Sequence, residues 1–230
     1  MTAKGFFITG TDTGVGKTHI TAALLQFFIS QGKTAVGMKP IAAGCDETSL
    51  ICEDVEILQG ASNVEAPQDW INPYGFIPPI APHIAARQAG VTIDLNVIAH
   101  AYDGLAKLAD VVVVEGVGGF RVPLNDSQDT ADLAGRLDLP VILVVGMRLG
   151  CINHALLTAE AIQGRGLKLA GWVANSVLPE MSALNDNIEA LEQRINAPLL
   201  GIIPFAEDPP SQICHYLDFA INPYFGKGLL

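Results

Sequence analysis

The chain has 230 residues and a formal net charge of −11; half of its residues are hydrophobic and only 16% are charged. That balance excludes extensive disorder and disfavours long-range attraction to nucleic acid or to an anionic membrane surface. The length fits one large domain or two small ones, read here as a single domain spanning residues 1–230, and lets the core stand without a metal or disulfide staple.

Short β-branched or aromatic runs alternate with segments of helical period. Phe6, Phe7 and Ile8 read as a first strand. Thr18 to Ser30 then reads as a helix, with Ile20, Leu24, Phe27 and Phe28 on one face. Ala35 to Lys39 reads as a second strand, closed by Pro40. The proline-rich stretch Asn72 to His83 is the least regular part and is expected to be a packed surface loop. Leu95, Ile98, Tyr102, Leu105 and Ala109 mark a helix, Val111 to Val114 a buried strand, Thr130 to Leu137 a short helix and Val141 to Val145 another strand. Asn153 to Gln163 is helical, Leu169 to Ala174 a strand, Ala183 to Ile195 a helix and Leu199 to Ile203 a last strand. Strands that are hydrophobic throughout and separated by helices imply an α/β fold, a mostly parallel sheet flanked by helices on both faces.

Cys45, Cys52, Cys151 and Cys214 form no C-x-x-C pair and no metal-ligand spacing, so reduced thiols are expected. The N-terminal apolar run is too short for a secretion signal, and no apolar run approaches the roughly 20 residues of a membrane helix. A cytoplasmic protein is the expectation.

In such a sheet, ligands bind at the carboxyl ends of the strands, and chemistry-bearing residues stand there. After the first strand comes "TGTDTGVGKTH", Thr9 to His19. The free N–H groups and partial positive charge of a helix start suit phosphate. In the usual P-loop, four residues separate the first glycine from Gly-Lys. Here five do, Thr11 to Val15. Lys17 is placed to bridge terminal phosphate oxygens and Thr18 to ligate Mg²⁺, with the hydroxyls of Thr11 and Thr13 beside them. Lys39, after the second strand, offers a second cation for a transferring phosphoryl group. Glu115, after the buried valines, is where a metal-binding acid belongs, and Gly116, Gly118 and Gly119 suit close backbone approach to a ligand. Asp54 near a helix start fits either a favourable helix dipole or Mg²⁺. Asn175 carries an amide able to read a base edge. "LGCINHA", Leu149 to Ala155, places small and polar residues at a helix start, a possible anion site. His154 reads as a helix residue. No Ser-His-Asp, Cys-His or metal-ligand set with convincing spacing is present.

Taken together, "GTDTGVGKT", "KPIAAG", "NPYGF" with "PH", "VVVVEGVGGF", "PVILVVGMRLGCINHALLTA", "GWVAN" and "PLLGIIP" resemble the dethiobiotin synthetase family, in its order, from residue 6 to about 204. The resemblance implies a P-loop fold and an ATP- and Mg²⁺-dependent ligase. Its substrates are 7,8-diaminopelargonic acid and CO2 or bicarbonate, and its product is the cyclic urea dethiobiotin, made through a phosphorylated carbamate. It further implies that Thr13, Lys17 and Lys39 surround the carbamate and γ-phosphate, and that Thr18, Asp54 and Glu115 hold Mg²⁺. Gly14, Val15, Gly16, Lys17, Thr18 and His19 wrap the ATP phosphates, joined by Gly116, Val117 and Gly118. Asn175, Ser176, Pro204, Phe205 and Ala206 meet the adenine side. It also implies a homodimer in which Gly150, Cys151, Ile152 and Asn153 of the partner subunit receive the substrate carboxylate. Three departures stand out. Ala43 replaces an expected hydroxyl residue that contacts the diamine. Gly14 stands where some relatives carry an acid. The tail after Pro204 matches poorly. Two other classes share the fold: amidating synthetases, which need a glutaminase domain that this length does not accommodate, and partition or division-site nucleotide switches, which carry an extra early loop lysine absent here.

Overall fold

In a computed structural model, residues 4–49, 51–205 and 210–218 are described. The first half runs β1 (Lys4–Gly10), α1 (Lys17–Ser30), β2 (Ala35–Met38), β3 (Ile41–Ala43), α2 (Glu53–Ala61), α3 (Gln68–Ile71), β4 (Tyr74–Phe76), α4 (Pro82–Gln88) and α5 (Leu95–Leu105). The second half runs β5 (Val111–Glu115), α6 (Thr130–Leu137), β6 (Val141–Met147), α7 (Cys151–Gly164), β7 (Leu169–Ser176), α8 (Leu184–Glu192), β8 (Leu199–Ile203) and α9 (Pro210–Ile213), followed by a 3₁₀ turn.

Six strands form one parallel sheet in the order β2-β5-β1-β6-β7-β8. Its central strands are buried on both faces, which is why they read as unbroken apolar runs. Side chains alternate between the two faces. Phe7, Val112, Val114, Val36 and Met38 pack under α4, α5 and α6. Phe6, Ile8, Val111, Val113, Ile142 and Val144 pack under α1, α2 and α9. Leu143, Val145, Trp172 and Ala174 extend the first layer beneath α7 and α8. Helix starts are fixed locally: Asp94 accepts the Asn96 amide at α5, and Asp129 forms a capping box with Asp132 at α6.

Two expectations are corrected. The proline-rich stretch is not only loop: Tyr74–Phe76 forms β4, paired in parallel with β3, and α4 begins at Pro82. The pairing has no period to read, because each strand has three residues. Asn72 bridges its start: its Nδ2 donates to the carbonyls of Lys39 at 2.6 Å and Tyr74 at 3.3 Å. The expectation of reduced thiols fails at Cys45 and Cys52, which form a disulfide. Asp46 explains the approach. Its carboxylate accepts the Thr48 and Ser49 amides and its own amide donates to Ile51, which folds the loop so that the two cysteines meet. Cys151 is a free, buried thiol.

Candidate active site

The carboxyl ends of β1, β2 and β5 converge on one cleft of about 800 Å³. The β1–α1 loop forms its floor. Gly14 and Gly16 adopt φ of 71° and 88°, a left-handed backbone that glycine takes without strain. Val15 is buried and plugs the loop against Gly10 and Gly146; a Cβ on either glycine lies under 3 Å from it. Asn175 Nδ2 donates to the Val15 carbonyl at 2.8 Å, and a Cβ on Gly16 lies 2.2 Å from that amide nitrogen. Thus the loop is threaded between two strands and has room only for glycine where Asn175 grips it.

Above the loop, Lys39, Asp54, Glu115 and Thr18 form a single cluster. Lys39 Nζ lies 2.5 Å from Glu115 Oε1 and 2.7 Å from Asp54 Oδ2. Thr18 Oγ1 is 2.9 Å from both Asp54 Oδ1 and Glu115 Oε1. Lys39 is 3% exposed and Glu115 fully buried. Burial opposes charge on Lys39, but the Glu115 and Asp54 carboxylates outweigh it and hold the ammonium above its usual range. Burial likewise opposes charge on Asp54; Lys39 beside it prevails and keeps the carboxyl below its usual range. Lys17 behaves differently. Burial and the repulsion of Lys39 push it down to about 8, with Glu115 and Asp54 offsetting only part. Its Nζ donates to the Asp12 carbonyl at 3.0 Å. Two cations therefore face one cleft, and the second is short of negative charge. An anion between them relieves that shortage.

The donor set fits a hard divalent cation. Glu115 Oε2 is buried and lacks a hydrogen-bond partner, Asp54 supplies a second carboxylate, and Thr18 supplies a hydroxyl. Part of the lining is apolar: Ala43, Ile57, Pro79, Ile80, Ala81 and Pro82 border the same cleft as the cations. Such a lining suits an aliphatic chain with polar ends.

A family model described as an AAA domain matches residues 4–210. The ATP-dependent dethiobiotin synthetase of Nitrosospira multiformis is 58% identical over 205 residues, covering 89% of this chain and 90% of the relative. The chain belongs to the dethiobiotin synthetase family. The corresponding synthetase of Aromatoleum aromaticum is 54% identical, covering 91% of this chain and 95% of the relative. Among solved structures, the MinD cell division protein of Aquifex aeolicus superposes with a TM-score of 0.53 at 15% identity, covering 92% of this chain and 93% of that one. That likeness is one of fold alone.

Within this synthetase-family chain, Thr13, Gly14, Gly16, Lys17, Thr18, His19, Lys39, Ala43, Asp54, Glu115, Val117 and Gly118 all border the cleft. Gly116 lies beside it, its amide bonded to Ile8 and its carbonyl 3.4 Å from Lys39 Nζ. Val15 acts from beneath. Asn175 and Ser176 end β7 next to the loop. Pro204 and Phe205 are exposed after β8 and are not part of this lining, and Ala206 lies outside the described residues. Gly150, Cys151, Ile152 and Asn153 form the start of α7 and do not line the cleft of this chain. Sequence reasoning overlooked Asp12 and Arg148, which form an ion pair at the edge of the loop. The signal was present: Arg148 is a cation directly after a strand on the ligand side, the same position that drew attention to Lys39.

Proposed function

We propose that this chain is an ATP-dependent dethiobiotin synthetase, joining CO2 to 7,8-diaminopelargonic acid and closing the ureido ring with release of ADP and phosphate. The observation that carries the reading is the Lys39–Glu115–Asp54–Thr18 cluster, with Lys39 and Glu115 buried, which shares its cleft with Lys17 of the phosphate loop.

One amine of the substrate attacks CO2 and gives a carbamate, an anion. Lys39 and Lys17 draw that anion and the γ-phosphate into the same space, where the two would otherwise repel each other. The carbamate oxygen then takes the phosphoryl group, and ADP leaves. The second amine attacks the carbamate carbon, and inorganic phosphate departs as the five-membered ring closes. Ammonium charge near the phosphoryl oxygens favours the transfer, and little proton relay from side chains is required. That agrees with the scarcity of histidine around the cleft, which His19 borders at its exposed rim. Thr13 adds a hydroxyl at the loop crest. Thr18, Asp54 and Glu115 are proposed to hold Mg²⁺, which when bound neutralises charge on the phosphate oxygens. Asn175 keeps the loop in shape for ATP, and Ser176, Pro204, Phe205 and Ala206 are assigned to the adenine side.

The proposed assembly is a cytoplasmic homodimer, with Gly150 to Asn153 of each chain serving the other's substrate. Its support is the exposure of apolar side chains around α7: Leu149 is 98% and Leu157 57% exposed. No helix among the described residues is long and apolar enough to cross a membrane.

The test is purified protein with MgATP, measuring phosphate release with and without each co-substrate. Release is expected only when the diamine and CO2 or bicarbonate are both present. Equal release without the diamine would refute the ligase and favour a nucleotide switch of the same fold.

A further inference from the structure

The front half of the lengthened phosphate loop, Thr11 to Thr13, has its own attachment. The Thr11 amide donates to the Val144 carbonyl at 3.0 Å, and its hydroxyl accepts the Gly146 amide at 3.3 Å. Asp12 is then held at three points. Its carboxylate accepts the Thr13 amide at 2.8 Å, the same carboxylate pairs with Arg148, and its carbonyl accepts Lys17 Nζ at 3.0 Å. The Thr13 amide first, and Arg148 with it, keep the Asp12 carboxyl below its usual range. Arg148 follows β6 directly, and its own carbonyl receives the Cys151 amide that opens α7 at 2.9 Å.

We infer that Asp12 and Arg148 are a positioning pair for phosphoryl transfer. Neither is among the groups proposed to touch nucleotide, metal or substrate. Yet one side chain of the pair fixes the backbone of Thr13, and the same residue's carbonyl sets where the Lys17 ammonium rests. Lys39 and Glu115 are buried and bonded to each other, and the half-exposed Asp54 is bonded to Lys39. The loop crest is exposed, and Thr13 lacks burial to hold it. A tether from β6 supplies what burial does not. Both members are about half exposed, 40% for Arg148 and 47% for Asp12, so the pair adds little to stability. Its effect falls on geometry, where a displacement of about 1 Å at a reacting group costs on the order of 100-fold in rate.

The inference rests on the proposed function, and wild-type turnover is measured first for that reason. An inactive wild type speaks against the ligase; an active wild type with unaffected variants speaks against the pair. The experiment compares Arg148→Gln, Arg148→Lys, Asp12→Asn and the double variant Asp12→Asn/Arg148→Gln. Readouts are diamine-dependent phosphate release, affinity for a fluorescent ATP analogue and melting temperature. Arg148→Gln and Asp12→Asn are each expected to lower kcat about 10- to 100-fold, with the Tm within about 3 °C of wild type and the diamine KM changed less than kcat. Arg148→Lys is expected to recover most of the lost kcat, because it restores the charge. The double variant is expected to be no slower than the slower single, because both act through one contact. Wild-type kcat in Arg148→Gln overturns the inference. So does a multiplicative loss in the double variant, or an Arg148→Lys enzyme as slow as Arg148→Gln.

Discussion

Replacing Lys39 by methionine tests the centre of the site most directly, because it separates the ammonium from the carboxylates it serves. Glu115 is fully buried, and one of its oxygens has no partner even with Lys39 present. Without the ammonium, Glu115 keeps only the Thr18 hydroxyl, while Asp54 is half exposed and finds water. A buried carboxylate stripped of its cation costs about 3–5 kcal/mol. For a chain of this length that corresponds to a fall in melting temperature of about 6–20 °C. The Lys39→Met protein should therefore melt early in a metal-free scanning experiment. Mg²⁺ should recover part of the loss, since about 2.7 kcal/mol is available at a concentration 100 times the Kd. Converting the carboxylate to an amide as well, in Lys39→Met/Glu115→Gln, removes the stranded charge. It should restore much of the melting temperature while leaving the enzyme inactive. Turnover of Lys39→Met should fall by about 100- to 1000-fold, the scale of one lost transition-state charge contact. A melting temperature within 2 °C of wild type would refute the argument, since 2 °C is roughly 1 kcal/mol or less at this size. A double variant as unstable as the single would refute it as well.

Other outcomes follow from the same geometry. Lys17 is depressed to about 8 from 10.5, so between those pH values the unfolded chain binds the extra proton and the nucleotide-free protein should gain stability as pH rises, by up to about 3 kcal/mol. Urea titrations at pH 7.5 and 9.5 should show the gain, and Lys17→Gln should abolish it; a wild type that is flat across the window would place Lys17 in water. Reducing Cys45–Cys52, which closes a short loop of sequence separation 7, should lower stability by about 2–3 kcal/mol; identical melting with and without dithiothreitol would show that the bond does not constrain the chain. Ala43→Ser should lower the diamine KM by about 2- to 12-fold if the missing hydroxyl contributes one neutral hydrogen bond, and an unchanged or raised KM would show that Pro79 and Ile80 shape the pocket without it.

How much of this was legible in the sequence depends on the range over which each feature is written. The buried strands announced themselves because both of their faces are covered, so Val111 to Val114 and Val141 to Val145 needed no partner to be recognised. The phosphate loop and Lys39 were legible because a parallel sheet delivers its strand ends to one side. The short strands β3 and β4 were not: three residues carry no period, and their pairing depends on Asn72 reaching two carbonyls. The disulfide escaped for a similar reason. Nothing in the spacing of Cys45 and Cys52 states that Asp46 folds the loop between them. Asp54 was left open between helix dipole and metal site, because sequence cannot show that α2 points its first turn at Thr18. Its contacts with Thr18 and Lys39 put it in the cluster.

The fold alone does not assign an activity, since a cell division protein shares it at only 15% identity. The assignment rests on what has been added around a common loop. A switch needs its loop to respond to the presence of a γ-phosphate. A ligase that joins two anions needs a loop held still with cations on both sides of the gap. Here the rear of the loop is gripped by Asn175 and its front is tied to β6 through Thr11 and Asp12. Lys39 closes the opposite wall from within a carboxylate cluster that fixes its position. In this longer loop Asp12 pairs with Arg148 while Thr13 and Lys17 border the cleft that Lys39 also borders, so the front of the loop is held from outside the cleft and its cations are left to the ligand side.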